Sequence, residues 1–162
     1  MSKNIPNKAD KFHQGFYKIQ NYTKYIGNPV DIVYRSSWEY KFMLYCDLNE
    51  GVIKWGSECF KIPYTDNMGH NRVYIPDFYL ETINKNNPSI LNKFLVEVKP
   101  LKETIEPIIP KTITEKKLKA LEWDITTWQK NKHKWAYAIE WCKNRDMIFQ
   151  IVTEENLNQF KP

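Results

Sequence analysis

Two acids and a lysine lie in segments that otherwise have the pattern of buried strands. Residues 94–99 alternate apolar and other side chains, which is typical of a half-buried β-strand. The two-residue period of a strand places Glu97 and Lys99 side by side on one face, opposite the valines. A second strand-like segment, 72–80, contains Asp77. If the two strands pair, Asp77 and Glu97 can bind one metal ion, and Lys99 points at the same place.

These residue types suit metal-assisted cleavage of a phosphodiester. The reaction needs a water nucleophile, neutralisation of charge on the phosphate and stabilisation of the leaving oxygen. A hard divalent cation supplies the last two and lowers the pKa of a bound water. Mg²⁺ keeps several water ligands and binds only one or two protein carboxylates, so Asp77 and Glu97 are sufficient. Lys99 would orient the water or stabilise charge in the transition state.

The same residues also have a structural interpretation. Lys99 could form a partly buried ion pair with Asp77 or Glu97 that joins the two strands. Desolvation offsets most of the attraction in such a pair, which makes it a poor stabiliser. Three charges among apolar strand residues are therefore hard to explain by stability alone, and this favours a functional site.

The composition is that of a folded domain with free thiols. The chain has 162 residues, of which 42% are hydrophobic and 15% aromatic, and this suits one domain with a core. The first residues lack the apolar stretch of a secretory signal, and no run approaches a membrane-spanning length, so no membrane partner is expected. The histidines show no zinc-ligand spacing, and the odd number of cysteines indicates a reducing compartment. The cysteines are widely separated, at Cys46, Cys59 and Cys142.

Positive charge is concentrated at the start of the chain. The net charge is +5, and residues 1–30 contain five lysines against one aspartate. We therefore divide the chain into a basic, largely irregular N-terminal arm (1–33) and a folded body (34–162). A basic arm suggests contact with a polyanion, although a solubilising terminus explains it equally well. The aromatic residues expected to dock the arm on the body are Phe12, Phe16, Tyr17, Tyr22 and Tyr25.

Apolar periodicity and capping motifs predict a mixed fold. A helix begins near Ser36, where Ser36 and Glu39 form a capping-box pattern. Glu39 could instead face a functional site, but the local pattern favours capping. The strand-like segments are 52–55, 59–62, 72–80, 94–99 and 148–152, and two helical patterns occupy 118–128 and 135–142. This order, α-β-β-β-β-α-α-β, predicts an α/β fold of the mixed α+β class, with a central mixed sheet flanked by helices.

Several short segments are characteristic of one protein family when they are taken together and in order. Pro76-Asp77, followed about twenty residues later by Glu97-Val98-Lys99, has the form of the PD-(D/E)xK nuclease signature, which is short by itself. The most specific segment is 35–39, Arg-Ser-Ser-Trp-Glu. The other segments are 21–29, 62–64, 74–78, 131–135 and 141–142. Across roughly residues 15–157, this set resembles the head-completion nucleases of T-even-type tailed phages.

The resemblance implies that the body is a restriction-endonuclease-like domain of the PD-(D/E)xK type. Such a domain would cleave DNA with Mg²⁺, or with Mn²⁺ in its place. Asp77, Glu97 and the carbonyl oxygen of Val98 would bind the metal, and Lys99 would be the catalytic lysine. The helical acid of the fold would fall on Glu39, which reverses the preference from the local pattern, because capping and catalysis can coexist at one residue.

Contacts with DNA are implied for basic residues outside the signature. Arg35 belongs to the most specific segment, and Lys132 and Lys134 match a basic helix of the family. These residues would bind phosphate groups. An ordinary solvated helix face explains the two lysines equally well.

The resemblance also implies a setting. The protein would act late in virion assembly, near the packaged DNA end, with DNA and portal or neck proteins as partners. It would lie in the host cytoplasm during assembly or in the virion. One alternative is a non-catalytic protein that binds the DNA end or the portal. Another is a transposon-end or restriction-type nuclease of a mobile element, which we rank lower because the chain has no room for a separate recognition domain.

Overall fold

The structure, a computed structural model, describes residues 14–162. Its strands are β1 (Gly15–Phe16), β2 (Val33–Tyr34), β3 (Val52–Ser57), β4 (Ile62–Thr65), β5 (Asn71–Tyr74), β6 (Phe78–Ile83), β7 (Leu91–Val98) and β8 (Ile148–Val152). Its α-helices are α1 (Ser37–Leu48) and α2 (Glu115–Lys143). Short 3-10 helices occupy Tyr22–Lys24, Leu101–Glu103 and Leu157–Gln159. None of the helices in residues 14–162 is both long enough and apolar enough to cross a membrane.

A four-stranded mixed sheet lies at the centre, with strand order β3-β6-β7-β8. β3 and β7 run antiparallel to β6, whereas β8 runs parallel to β7. The predicted α/β class with a central mixed sheet is therefore confirmed. A parallel pair needs a long crossover connection, and α2 supplies it between β7 and β8.

The two long helices cover opposite faces of this sheet. On one face, Phe42 and Cys46 of α1 pack with Val96 and Val98. On the other face, Trp135 and the following turns of α2 pack in a separate cluster that contains Leu95. The alternation predicted for 94–99 is thus correct, and it directs Glu97 to the α2 side. Because both faces are covered, any charged side chain on β7 must find partners inside the protein.

The segment 72–80, predicted as one strand, is two strands in different sheets. β5 forms a two-stranded antiparallel sheet with β4, and β6 enters the central sheet. The break falls at buried Pro76, which has no N–H to donate to a ladder. Asp77 lies in this break rather than within a strand, directly before β6. The strand predicted at 59–62 is also shifted, since β4 begins at Ile62.

The two helical patterns predicted after residue 112 form one continuous helix of 29 residues. The prediction of two helices was wrong because the segment between Trp128 and Trp135 contains neither glycine nor proline. Its seven-residue spacing also keeps both apolar patterns in phase. The N-cap is Thr114, whose hydroxyl accepts a hydrogen bond from the Lys117 N–H at 3.3 Å.

Residues 14–33 are part of the core even though they contain little regular structure. Tyr17, Ile19 and Ile32 are buried in the α1-side cluster. The predicted boundary after residue 33 is therefore not a packing boundary in the described part of the chain. Tyr17 and Tyr25 dock as expected, each in an edge-to-face contact with Trp55. The other described aromatics of the arm, Phe16 and Tyr22, are 68% and 63% exposed. Phe12 lies outside the described residues, as do three of the five lysines of the arm.

A buried carboxylate ties this segment to α1. Asp47 is fully buried and accepts hydrogen bonds from the Tyr17 hydroxyl at 2.8 Å and from two backbone N–H groups. The two N–H groups belong to Gln20 and Asn21, at 2.7 and 2.9 Å. All three donors are uncharged, so the Asp47 carboxylate is stabilised by neutral hydrogen-bond donors, as carboxylates are at helix caps and in turns.

We expect Asp47→Ala to lower the free energy of unfolding by about 2–4 kcal/mol, because three donors lose their acceptor in a site closed to water. Urea titration followed by circular dichroism measures the change. Glu50→Ala, at an exposed neighbouring position, should change it by less than about 0.5 kcal/mol. Equal urea midpoints for Asp47→Ala and the unsubstituted protein would show that this tie does not stabilise the fold.

Candidate active site

Asp77 reaches from the break before β6 to the end of β7. Its backbone carbonyl accepts a hydrogen bond from the Glu58 N–H at 2.9 Å. Its side-chain Oδ2 accepts one from the Val98 N–H at 2.7 Å. The β6–β7 register, in which Phe78 lies opposite Val96, brings the two segments together. Asp77 and the main chain of Val98 therefore meet through the Val98 N–H, whereas the family resemblance implies a role for the Val98 carbonyl oxygen.

Glu97 is the most deeply buried acid of the site, with 2% exposure. Its Oε2 accepts a hydrogen bond from the Tyr74 hydroxyl at 2.7 Å. Its Oε1 lies 3.1 Å from the Nζ of Lys134 and 3.5 Å from the Nζ of Lys99. The partners come from β5, from α2 and from the residue that follows β7. Both oxygens of a carboxylate that has lost its hydration are thus bonded, as burial requires.

The charges of Asp77, Glu97 and Lys99 shift the pKa values of Asp77 and Lys99. Burial and the negative charge of Glu97 raise the pKa of Asp77, and Glu39 adds to this effect, while the Val98 N–H and Lys99 oppose it. Burial lowers the pKa of Lys99, but Glu97 and Asp77 outweigh it, so that the pKa is raised overall. Two mutually repelling carboxylates with an ammonium group beside them are therefore present.

Glu39 caps α1 and also lies near the acids. Its N–H donates to the Ser36 hydroxyl oxygen at 3.1 Å, and its Oε1 accepts from that hydroxyl at 3.0 Å. Its Oε2 accepts from the Arg35 N–H at 2.8 Å. The capping role is therefore present, and the charge of Glu39 also contributes to the raised pKa of Asp77.

The three basic residues assigned to DNA lie in different places. Arg35 is exposed and pairs with Glu58 at 2.6 Å, close to Asp77. Lys132 is exposed, with its Nζ 5.0 Å from the centre of the Trp128 ring. Lys134 is only 14% exposed and pairs with Glu97. Residues two apart on a helix point about 200° apart, so Lys132 and Lys134 do not form one phosphate-binding surface.

The roles of Tyr74 and Lys134 toward Glu97 were missed. A partial signal existed in α2, where Asn131, Trp135 and Ala138 recur as a buried face and Lys134 falls beside that face while Lys132 does not. No local signal marks Tyr74, because its contact with Glu97 depends on the hairpin of β4 and β5 returning to the central sheet. The ammonium of Lys134 also lies 4.6 Å from the centre of the Tyr74 ring.

The acids present fit a hard divalent cation with water ligands. The described residues contain no group of three or more His, Cys, Asp or Glu side chains that could hold a metal ion. The candidate ligands are therefore the carboxylates of Asp77 and Glu97, since the main chain of Val98 meets Asp77 through its N–H. One or two carboxylates are the usual protein contribution to Mg²⁺, which retains several waters. The repulsion that raises the pKa of Asp77 is one that a bound cation would relieve.

Replacing each of the two α2 lysines by methionine tests whether Lys134 is the partner of Glu97. We expect Lys134→Met to lower the free energy of unfolding by about 1–3 kcal/mol, since a buried carboxylate loses its nearest charged partner. Lys132→Met removes the same charge from an exposed site and should cost less than about 1 kcal/mol. Urea unfolding of both variants gives the comparison. Equal losses would place Lys134 in solvent rather than against Glu97.

Comparisons with known proteins show the family to which the chain belongs. The family model described as "TnsA-like endonuclease N terminal" matches residues 49–154, a range that contains the whole central sheet, Asp77, Glu97 and α2. The chain is also 36% identical to the "Head completion nuclease" of Enterobacteria phage T4 over 146 residues. The alignment covers 90% of this chain and 93% of the phage T4 protein. The chain therefore belongs to the TnsA-like endonuclease N-terminal family and, with the phage T4 protein, to the head-completion nucleases.

Proposed function

We propose that this protein is a Mg²⁺-dependent DNA endonuclease of the PD-(D/E)xK type. The single observation that carries the proposal is the meeting of Asp77, Glu97 and Lys99 at the end of β7. The Nζ of Lys99 lies 3.5 Å from Glu97. Asp77 accepts a hydrogen bond from the N–H of Val98, the residue between Glu97 and Lys99 in the sequence. Family membership supports the endonuclease class, and the donor set supports Mg²⁺, for which Mn²⁺ would substitute.

The acids have a binding role in this proposal. Asp77 and Glu97 would hold the cation, with the carbonyl oxygen of Val98 as a further ligand. When bound, Mg²⁺ would supply Lewis-acid polarisation of the phosphate and a water of lowered pKa. Tyr74 and Lys134 fix the orientation of the Glu97 carboxylate from outside, as groups behind a metal ligand commonly do.

Lys99 and Glu39 act on the reacting groups themselves. The Lys99 ammonium is charged, since its pKa is raised, and it is 29% exposed, so it can reach a phosphate that enters the site. It would stabilise the negative charge that develops there and orient the attacking water. Glu39 is held by the α1 cap and can accept a hydrogen bond from a water at the rim. Arg35, beside Asp77, would bind a neighbouring phosphate.

The biological setting proposed is completion of a phage head after DNA packaging. The printed name of the phage T4 relative supports it. The enzyme would trim or cut DNA near the packaged end, with portal or neck proteins as partners. It would work in the host cytoplasm during assembly or remain with the virion.

One observation favours a second candidate, a non-catalytic protein that binds DNA ends or the portal. Both Glu97 oxygens already have protein partners, as they would in an ion pair that only joins strands. We prefer the nuclease because two lysines and a tyrosine around one acid, with a second acid nearby, exceed what strand pairing requires.

Loss of either acid should abolish cleavage. We expect Asp77→Asn and Glu97→Gln to reduce the Mg²⁺-dependent cutting of plasmid DNA by about 10²-fold or more, since each removes a charge that binds the cation. Gel assays with Mg²⁺, Mn²⁺ and EDTA measure the rates. Asp146→Asn is a matched control, because this acid lies at a left-handed position (φ 54°) that asparagine tolerates. Undiminished cutting by Asp77→Asn would contradict the site assignment.

Binding of the cation should be visible without DNA. We expect Mg²⁺, or Ca²⁺ as a probe, to raise the melting temperature of the unsubstituted protein. The gain corresponds to about 2.7 kcal/mol at a hundred times the dissociation constant. Asp77→Asn should lose this gain, and in EDTA it should melt no lower than the unsubstituted protein, because repulsion with Glu97 is relieved. Melting temperatures that respond to neither cation would contradict the metal site.

A further inference from the structure

A cavity of about 690 Å³ lies between α2 and the hairpin of β4 and β5. Its lining includes Arg72, Tyr74, Ile75, Gln129, Lys130 and Lys134. Two of these, Tyr74 and Lys134, are the residues that bond to Glu97. The cavity therefore adjoins Glu97 through these two side chains.

The charge of the cavity suits an anion. Arg72 stands on the hairpin wall and Lys130 on the helix wall, and the ammonium of Lys134 lies between the cavity and Glu97. Asp66 is the single acid in the lining. Its Oδ2 is already bound to Arg72 at 2.9 Å, and its Oδ1 accepts from two backbone N–H groups of the turn. The charge of Arg72 is thus balanced by Asp66, and Lys134 is paired with Glu97. The positive charge left for a phosphate therefore lies on the helix wall, at Lys130.

Apolar surface completes the lining. Val73 and Ile75 are 59% and 41% exposed, and both line the same cavity. The walls are held together, because the His133 ring bonds to the Thr65 carbonyl and lies beside the ring of Tyr64. A preformed space that combines cations with an apolar wall matches a ligand with both phosphate and a base or sugar.

Size decides which form of DNA can enter. A volume of about 690 Å³ is within the range of small-molecule sites, about 300–1,000 Å³. It has room for about one or two nucleotides of a single strand, and a base can lay its face on the apolar wall only when it has left the stack of a duplex. Unpairing costs least where the duplex is already open, as at a frayed end or an overhang.

We propose that this cavity binds one or two unpaired nucleotides next to the phosphate that is cut. The preferred substrate is then DNA with an unpaired segment, such as an overhang or a fork, rather than a continuous duplex. The substrate preference rests on the proposed nuclease function, whereas binding of an unpaired strand by the cavity does not depend on it.

Binding in EDTA tests the cavity without catalysis. The probe is a short fluorescent single-stranded oligodeoxynucleotide, and its anisotropy is measured at fixed salt. Lys130→Ala removes a wall charge, and Gln129→Trp fills the space without changing charge. We expect each to weaken binding by about 3–10-fold. The matched control is Lys116→Ala, which removes an exposed lysine about 20 Å away on the same helix and should leave binding unchanged.

Three results would overturn the cavity assignment. They are unchanged binding by both cavity variants, an equal loss in Lys116→Ala, and displacement of the oligonucleotide by inorganic phosphate or by a blunt duplex at comparable concentration. Thermal unfolding of each variant is measured first. Because Gln129→Trp and Lys130→Ala alter exposed side chains, their melting temperatures should match that of the unsubstituted protein.

Cleavage with Mg²⁺ then tests the substrate preference. The unsubstituted protein should cut a duplex with a single-stranded overhang several-fold faster than the same duplex with blunt ends. Gln129→Trp should lose this preference and keep the blunt-end rate. Equal rates on both substrates would overturn the preference. Absence of cutting on every DNA with Mg²⁺ and Mn²⁺ would overturn the nuclease proposal instead, and the binding result in EDTA would still decide the cavity.

Discussion

The burial of one carboxylate organises this protein. Glu97 lies on the central strand β7 with both sheet faces covered, and its carboxylate needs other groups to replace its lost hydration. The replacements come from three separate parts of the chain: a tyrosine of the β4–β5 hairpin, a lysine of α2 and a lysine just beyond β7. Each element must therefore be in place before the acid is satisfied.

The buried carboxylate of Asp47 provides a comparison that shows how the surroundings of Glu97 differ. Asp47 is bound by a hydroxyl and two backbone N–H groups, all of them uncharged, and it ties the N-terminal segment to α1. Glu97 is bound by two ammonium groups and lies close enough to Asp77 to raise the pKa of that acid. A purely structural acid needs only hydrogen-bond donors. An acid surrounded by both like and opposite charges is more typical of a functional site.

The site is assembled by one interruption of regular structure, at Pro76, and by one long helix without interruption, α2. Pro76 ends the run that would otherwise continue from β5 into β6, so Asp77 turns toward the end of β7 while Tyr74 stays with the hairpin. Because α2 is one uninterrupted helix of 29 residues, it places Lys134 against Glu97 and Lys130 at the neighbouring cavity. The active site and the cavity thus share the same helix and the same hairpin.

The sequence alone determines the features that depend on near neighbours. The alternation of 94–99 and the Ser36 cap with Glu39 follow from local patterns of a few residues. The order of Asp77, Glu97 and Lys99 is read directly from the sequence, and the structure contains all of these features. Only the tertiary structure decides that Tyr74 and Lys134, 23 and 37 positions from Glu97, are its partners. It also decides that Tyr17, Ile19 and Ile32 belong to the core. The reason is physical: a local pattern sets which way a side chain points, but the partner that it meets depends on how distant elements pack and on the charge that the packing must neutralise.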